Sequence, residues 1–189
     1  MLPDLECSTV DPGLRVLPPA LSPYVATWDE VDKTFGSTAH RRSMILMARS
    51  RLETITADLV PLKACWINGS FVTDKERPSD IDMLVIIDGE RIPTMREIHG
   101  LDHEEATRRT NHHEAQRYEV GGTALDHLTS FSYTWWFPEG HGFHQDSLND
   151  LEHWSRQWSR VRVMVNVGHD SEGNYVYCDD GKGFVEVRW

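Results

Sequence analysis

The feature that most constrains this chain is the stretch WINGSFVTDKERPSDIDMLVIID, residues 66 to 88. A short apolar run ends at Gly69 and Ser70, a polar loop follows, and a second apolar run begins at Asp80 and Asp82. Apolar runs of this length predict buried strands. The two aspartates therefore lie at the start of a buried strand, where ionised carboxylates are unfavourable unless something compensates their charge.

Asp80 and Asp82 predict a metal site. Side chains two residues apart on a strand point to the same face, and two carboxylates about 4 Å apart repel each other by roughly 4 kcal/mol at an effective dielectric constant of about 20. A divalent cation removes this repulsion, and Mg²⁺ prefers oxygen ligands while keeping positions for water and phosphate oxygens. A solvated turn before the strand is the alternative interpretation, but it leaves the Gly-Ser spacing unexplained.

Gly69 and Ser70 predict a phosphate-binding turn. Glycine lets the backbone approach a bulky anion closely, and the following amide and hydroxyl groups can donate hydrogen bonds to phosphate oxygens. If the two strands are neighbours, one triphosphate can contact both this turn and the metal. The intervening loop carries Lys75 and Arg77. Either could neutralise phosphate, or both are ordinary solvated side chains.

The rest of the chain predicts an α/β or α+β fold. Thr27 and Glu30 form a capping box that opens a short helix, and Gly36 closes it. Helices are expected over 28–35, over 39–59 with an apolar stripe (Ile45, Ala48, Leu52, Ile55, Leu59), within the helix-prone segment 93–118, and after a weaker cap at Ser147 and Asp150. Strands are expected over 64–67, 82–87, 123–133 and 161–167, followed by two short strands near the end, with a loop over 135–146. We predict a mixed β-sheet flanked by helices, with an extended arm over residues 1–26 and a single domain over 27–189.

The charge of the chain argues against one class of function. Its 30 acidic residues outnumber its 19 Lys and Arg residues, for a formal net charge of −11, whereas broad binding to DNA or RNA needs clustered cations that face phosphates. We interpret two small arginine clusters as solvated faces. They are Arg41, Arg42, Arg49 and Arg51, and Arg156, Arg160 and Arg162.

The sequence predicts neither a secretory signal nor a membrane span. The stretch MLPDLECSTVDPG is acidic and lacks an apolar core, and no run of about 18 apolar residues occurs. Cys7, Cys65 and Cys178 show no CxxC spacing, so neither a disulfide framework nor a Cys-based zinc site is indicated. We expect a cytoplasmic protein that does not associate with membranes.

The central motif resembles the signature of the DNA polymerase β-type nucleotidyltransferase superfamily. Here it consists of Gly69-Ser70, nine residues, and then Asp80-x-Asp82 entering an apolar strand. It looks most like the small bacterial, phage and archaeal members, the minimal nucleotidyltransferases. The flanks LPPALSPYVATWDEVDKTFG, GSFVTDKERPSDID and GKGFVEV are also similar to one uncharacterised subgroup. The resemblance covers most of the chain, although only the central motif is chemically specific.

The resemblance implies a nucleotidyltransferase fold and a two-metal reaction, with Mg²⁺ or Mn²⁺ as cofactor and an NTP, such as ATP, as donor. NMP would be transferred to a hydroxyl and pyrophosphate released. Gly69 and Ser70 match the phosphate-binding turn of the superfamily, and Asp80 and Asp82 match its metal pair.

Three further residues are candidates for the site, and the resemblance implies a position for the first. Family members place a third carboxylate on the next strand, and Asp126 in TALDHLTSF is our choice because it lies among strand-like residues. Asp102 and Asp146 lie in more polar settings. Lys182, in GKGFVEV, is a further candidate for binding phosphate, as is Lys75. A turn lysine without such a role is the alternative for Lys182.

The resemblance also implies a class of acceptor, and two alternative functions stand beside it. Small superfamily members act in toxin–antitoxin or phage-defence settings, which implies a protein or RNA acceptor, such as tRNA, and a toxin or antitoxin partner. One alternative is a catalytically silent module of the same fold that binds a partner protein, as antitoxins do. Another is an adenylyltransferase of the aminoglycoside type, although no separate C-terminal helical substrate domain is evident in the sequence.

Overall fold

The computed structural model describes residues 1–8, 13–115, 119–120, 123–124, 129–159 and 181–189. The strands are β1 (Glu6–Cys7), β2 (Arg15–Val16), β3 (Tyr24–Ala26), β4 (Leu62–Asn68), β5 (Ile81–Asp88), β6 (Glu119–Val120), β7 (Thr123–Ala124), β8 (Thr129–Trp136) and β9 (Val185–Arg188). The helices are α1 (Trp28–Phe35), α2 (Ala39–Ala57), α3 (Ile92–His99), α4 (His103–Ala115) and α5 (His144–Trp158).

Five strands form the main sheet, in the order β3–β9–β4–β5–β8. Strand β4 is antiparallel to both β5 and β9, whereas β3 is parallel to β9 and β5 is parallel to β8. The two other described sheets are two-stranded pairs, β1–β2 and β6–β7. The sheet is therefore mixed and combined with helices, which confirms the predicted α+β class.

One face of the main sheet packs against α1 and α2. Alternate residues of β5 join the apolar stripe of α2 in the largest core cluster. The predicted capping box is confirmed, because Thr27 and Glu30 exchange hydrogen bonds at the start of α1. Helix α2 ends at Ala57 rather than at Leu59, whose φ of 67° is incompatible with a continuing helix. None of the helices that the structure describes has the length and apolar content needed to cross a bilayer.

The opposite face of the main sheet packs against α5. Leu84 and Ile86 of β5 form a smaller cluster there with Trp158 of α5. Because successive side chains on a strand alternate between faces, Asp82 and Asp88 belong to this same face. Strand β5 thus presents one acidic residue near each of its ends to the side that α5 covers in part.

Two predicted boundaries around α5 were wrong. Residues Trp135 and Trp136 belong to β8 rather than to a loop, because β8 pairs with β5 as far as Trp136 opposite Asp88. Ser147 does not cap α5, since the helix begins at His144. Its hydroxyl instead donates to the Phe143 carbonyl at 3.0 Å, within the first turn.

The segment predicted as an extended arm contributes to the core. Its strand β3 lies at one edge of the main sheet, and Leu17 is fully buried. Of the two short strands predicted near the end of the chain, the second is β9. The first, and the strand predicted over residues 161–167, lie outside the described residues.

Candidate functional site

Gly69 forms a sharp corner between β4 and the loop that leads to β5. Its φ of 80° and ψ of −167° lie in a region that is populated almost only by glycine. A Cβ atom there would lie 3.0 Å from the carbonyl oxygen of Asp80 and 3.0 Å from the backbone nitrogen of Asp82. The corner therefore packs directly against the backbone that carries both aspartates.

Ser70 connects this corner to the carboxylate of Asp80. The backbone N–H of Ser70 donates to Asp80 Oδ1 at 2.9 Å, and the Ser70 hydroxyl donates to the same oxygen. The Ser79 hydroxyl is a third donor, at 3.1 Å. The donors that the sequence predicted for a phosphate thus converge on a carboxylate oxygen here.

These contacts keep Asp80 ionised. Burial of the Asp80 carboxyl favours its neutral form, but the hydrogen bonds from Ser70 and Ser79 and the charge of Lys182 outweigh this effect and lower its pKa. Asp80 is therefore a carboxylate at neutral pH, as a metal ligand has to be.

Lys182 provides a positive charge at the same corner. Its ammonium donates to the Gly69 carbonyl at 2.9 Å and interacts electrostatically with Asp82 and Asp80. The residue keeps part of its surface exposed, but burial of the ammonium dominates and lowers its pKa to about 8, against the opposing effect of the two carboxylates. Lys182 thus supplies part of the compensation that the aspartate pair requires.

The position of Lys182 depends on the close packing of the backbone on both sides of it. Its N–H donates to the Ser159 carbonyl at 2.9 Å, just after the end of α5. A Cβ on Gly181 would lie 2.7 Å from Pro19, and one on Gly183 would lie 2.6 Å from the Pro18 carbonyl oxygen. The segment preceding β3 therefore helps to hold Lys182 at the corner.

Asp82 lies one position inside β5, on the side of the sheet that faces α5. Its register partner on β4 is Asn68, and its partner on β8 is Ser130. The Asn68 side chain donates to the Trp158 carbonyl at 3.1 Å, which satisfies one of the last carbonyls of α5. Asp82 is half-buried, so it remains accessible from solvent beside the Gly69 corner.

Arg41 of α2 fixes the loop between Ser70 and Asp80 from the other side of the sheet. Its buried guanidinium donates to the carbonyls of Phe71, Thr73 and Lys75 in the loop and to that of Phe35 at the end of α1. It also lies over the ring of Phe71, 5.0 Å from the centroid. One side chain thus supplies hydrogen-bond donors along a loop whose described β-pairing is one bridge, between Val16 and Thr73.

The burial of Arg41 overturns part of a sequence-based interpretation. Arg41 and Arg51 are 2% and 4% exposed, so they are not part of a solvated face, whereas Arg42 and Arg49 are exposed as expected. Arg41 lies four residues before Ile45, in register with the apolar stripe of α2. That register was the available sign that its side chain turns inward.

A comparison with known protein families assigns the chain to one family. A match to DUF6932, described as a family of unknown function, extends over residues 9–188. The chain belongs to the DUF6932 family. Comparisons with curated proteins and with solved structures gave no match.

Not every predicted site residue of this DUF6932 chain reaches the corner. Lys75 is exposed in the loop, and its described contacts are made by its backbone. Asp126, the predicted third carboxylate, lies outside the described residues. Within the described part of the chain, no group of three or more His, Cys, Asp or Glu side chains is arranged to hold a metal ion.

Three residues of this site were not predicted from the sequence. Ser79 donates to Asp80, Asn68 connects the end of β4 to α5, and Arg41 holds the loop. Ser79 and Asn68 are adjacent to the predicted motif, but a serine in a loop and an asparagine at a strand end have many ordinary roles. Their importance becomes visible only from their partners.

The arrangement can hold a cation together with an anion. Mg²⁺ is commonly bound through one or two carboxylates, with its other positions left to water and substrate phosphates, and Asp80 and Asp82 fit such a donor set. The Gly69–Ser70 turn offers an N–H and a hydroxyl immediately beside them, and Lys182 adds a positive charge. The described residues of the DUF6932 chain thus fit one metal ion and a phosphate.

Proposed function

We propose that this chain is a metal-dependent nucleotidyltransferase that transfers NMP from an NTP to a hydroxyl group of a protein or RNA acceptor. The observation that carries the proposal is the contact between the Gly69 corner and the backbone of Asp80 and Asp82. A phosphate-binding turn and a carboxylate pair at this distance can act on the same triphosphate.

Ser70, Lys182 and Arg41 would each have a different role in binding the triphosphate. The Ser70 N–H and hydroxyl donate to Asp80 in this structure. When a nucleotide binds, they would donate hydrogen bonds to oxygens of the triphosphate instead. Lys182 would stabilise the negative charge that develops on the pyrophosphate leaving group. Arg41 touches no substrate; it is a positioning residue that holds the backbone of the loop between Ser70 and Asp80.

Asp80 and Asp82 would hold the divalent cation. When bound, this ion would neutralise phosphate charge and lower the pKa of the attacking hydroxyl. The lowered pKa of Asp80 keeps its carboxylate available for this role at neutral pH. Asp126 remains our candidate for a third ligand.

The acceptor and the location are part of the proposal. A net charge of −11 disfavours a long nucleic acid and favours a protein acceptor, with the tRNA 3′ end as the RNA option. A toxin or antitoxin partner is the setting that we propose for either acceptor. Free thiols at Cys7 and Cys65 agree with the reducing conditions of the cytoplasm.

A labelling assay tests the activity. Wild-type protein is incubated with Mg²⁺ or Mn²⁺, with each α-labelled NTP in turn, and with total tRNA and lysate protein. We expect label on one acceptor class, and we expect Asp82→Asn to reduce transfer about a thousandfold because one cation ligand is lost.

Asp88→Asn is the matched control. Asp88 lies on the same strand and the same sheet face as Asp82 and is also half-buried, but it lies far from Gly69. We expect transfer by this variant to remain within about threefold of wild type. Equal losses in the two variants, or wild-type protein that labels nothing, would contradict the proposed activity.

The second candidate function is a silent module that binds a partner protein. It is favoured by Lys182, whose ammonium already compensates Asp80 and Asp82 without a metal. The two functions differ in nucleotide binding, which calorimetry with non-hydrolysable NTP and Mg²⁺ measures. A silent module shows neither binding nor transfer, whereas the enzyme shows both.

A further inference from the structure

A groove of about 600 Å³ opens on the α5-facing side of the sheet, at the end far from Gly69. It lies over β4, β5 and β9, beside Leu151 of α5. Asp88 lies six positions after Asp82, which corresponds to about 20 Å along a strand. The rings of Trp66, Phe184 and Trp158, which pack in tilted and edge-to-face contacts, lie between the two places. The groove is therefore a separate site, and its volume suits a small-molecule ligand.

The groove lining carries a small excess of positive charge, three cations against the carboxylates of Asp88 and Glu186. Lys63 and Arg91 line it, and among the described residues neither has a carboxylate within ion-pair distance. A third cation, Arg188, is already paired with Glu186 at 3.0 Å. In a chain with a net charge of −11, two cations without anionic partners at one groove indicate an anionic ligand.

A strand irregularity places Lys63 in this groove. The register between β4 and β5 shifts between Leu62 and Ala64, and such bulges redirect the side chain of the extra residue. The Lys63 ammonium consequently lies over the ring of Trp136, 3.2 Å from its centroid. Regular alternation would have directed Lys63 towards α2 and away from the groove.

Aromatic rings form much of the remaining wall. Trp66, Trp136 and Trp189 line the groove. Trp66 is buried against Phe184 and Lys63 covers one face of Trp136, whereas Trp189 is 43% exposed and can stack a flat ring. The carboxylates of Asp88 and Glu186 also line it and can accept hydrogen bonds from hydroxyl groups. The lining thus combines a stacking surface, cations and hydroxyl acceptors.

We propose that this groove binds a mononucleotide. The base would stack on the exposed ring of Trp189, Lys63 and Arg91 would contact the phosphate, and Asp88 or Glu186 would accept hydrogen bonds from the ribose hydroxyls. Nucleoside monophosphates present all three features in one molecule of suitable size. This site is independent of the Gly69 corner and of any transfer reaction there.

The test uses the full ¹⁵N-labelled chain, in EDTA to remove divalent metals. The four common ribonucleoside monophosphates are titrated singly, and the indole N–H signals are followed by NMR, with Trp136→Phe used to assign one of them. We expect at least one nucleotide to shift the signals of Trp66, Trp136 and Trp189. The matching nucleoside and ribose 5-phosphate, which each lack one feature, should bind at least tenfold more weakly.

Variants locate the binding. Arg91→Ala and Lys63→Ala should each weaken it about tenfold, whereas Lys33→Ala, an exposed lysine on α1, and Asp82→Asn should leave it within about twofold. Arg91 is exposed, so its replacement keeps the fold intact. The proposal fails if no monophosphate shifts the indole signals at millimolar concentration, or if ribose 5-phosphate binds as well as the nucleotide. It also fails if Asp82→Asn abolishes binding while Arg91→Ala preserves it.

Discussion

Asp82 and Asp88 lie near opposite ends of strand β5 and face the same side of the sheet, but their surroundings differ in kind. Asp82 lies beside a backbone corner that is fixed by Gly69 and by hydrogen bonds among polar groups. Asp88 lies in a groove formed by indole rings and cations. The first end depends on precise backbone placement, whereas the second depends on the side chains that surround an open space.

This difference predicts how each end responds to substitution. Changes at the Gly69 end should disturb the fold, because each polar group there satisfies another. Changes at the groove end should mainly alter what the groove can bind. Three substitutions test this contrast, from the largest expected loss of stability to the smallest, and a fourth tests its dependence on pH.

The largest effect is expected at the side chain that holds the loop. Arg41→Met removes a buried donor from four carbonyls and should lower the free energy of unfolding by about 4 kcal/mol. Arg42→Met, at the exposed neighbouring position, should change it by less than about 0.5 kcal/mol. Urea unfolding followed by tryptophan fluorescence measures both, and similar losses would show that burial of Arg41 is unimportant.

The two ends also differ at their glycines. Gly69→Ala combines an unfavourable φ with contacts of 3.0 Å to backbone atoms of Asp80 and Asp82, so we expect a loss of about 3 kcal/mol. Gly140 follows β8 near the groove end and has a φ of 87°, but nothing lies within 4 Å of its Cβ position. Gly140→Ala should therefore lose only about 1 kcal/mol in the same unfolding experiment. A difference close to zero would mean that the Gly69 corner adjusts easily.

A smaller effect is expected between the two ends, at Trp66. Its indole N–H donates to Glu186 at 3.0 Å, so Trp66→Phe should cost about 1 kcal/mol through the lost hydrogen bond. Trp154→Phe is the control, because the described residues contain no hydrogen-bond acceptor for its N–H. Thermal unfolding of the two variants should separate them, and a larger loss for Trp154→Phe would contradict the assignment.

The last test concerns the pH dependence contributed by Lys182. Because its pKa is lowered to about 8 in the folded protein, the unfolded chain binds more protons between pH 8 and the usual lysine range of about 10.4. Stability contributed by this group therefore rises with pH across that window. Relative to Lys182→Met, the wild type should gain stability from pH 8 to pH 10. A constant difference over that range would show that the ammonium is not buried.

Local patterns were sufficient for much of the fold. The capping box of Thr27 and Glu30 and the alternation along β5 involve residues that are close in sequence, so their interactions follow from spacing alone. The Gly69 corner and the aspartates were predictable for the same reason, since one short loop connects antiparallel neighbours. Ser147 failed as a cap because serine can equally donate to a carbonyl of the preceding turn.

The other features depend on contacts between distant segments. Lys182 contacts Gly69 across 113 positions of the chain, and no rule based on sequence spacing predicts that contact. Arg41 was grouped with exposed arginines because a cluster of like charges normally faces solvent, but the carbonyls of a distant loop compensate its burial. Lys63 reaches its groove through a bulge that has no distinctive sequence.

The place of β9 in the sheet has a consequence for folding kinetics. This strand lies between β3 and β4, and its residue Val187 pairs with Ala26. A nascent chain thus leaves β3 without its neighbour, and one side of β4 open, until residues 185–188 have been synthesised. Such long-range pairing favours slow, late closure of the sheet, and the exposed edge of β4 would be a natural point of contact for a chaperone before then.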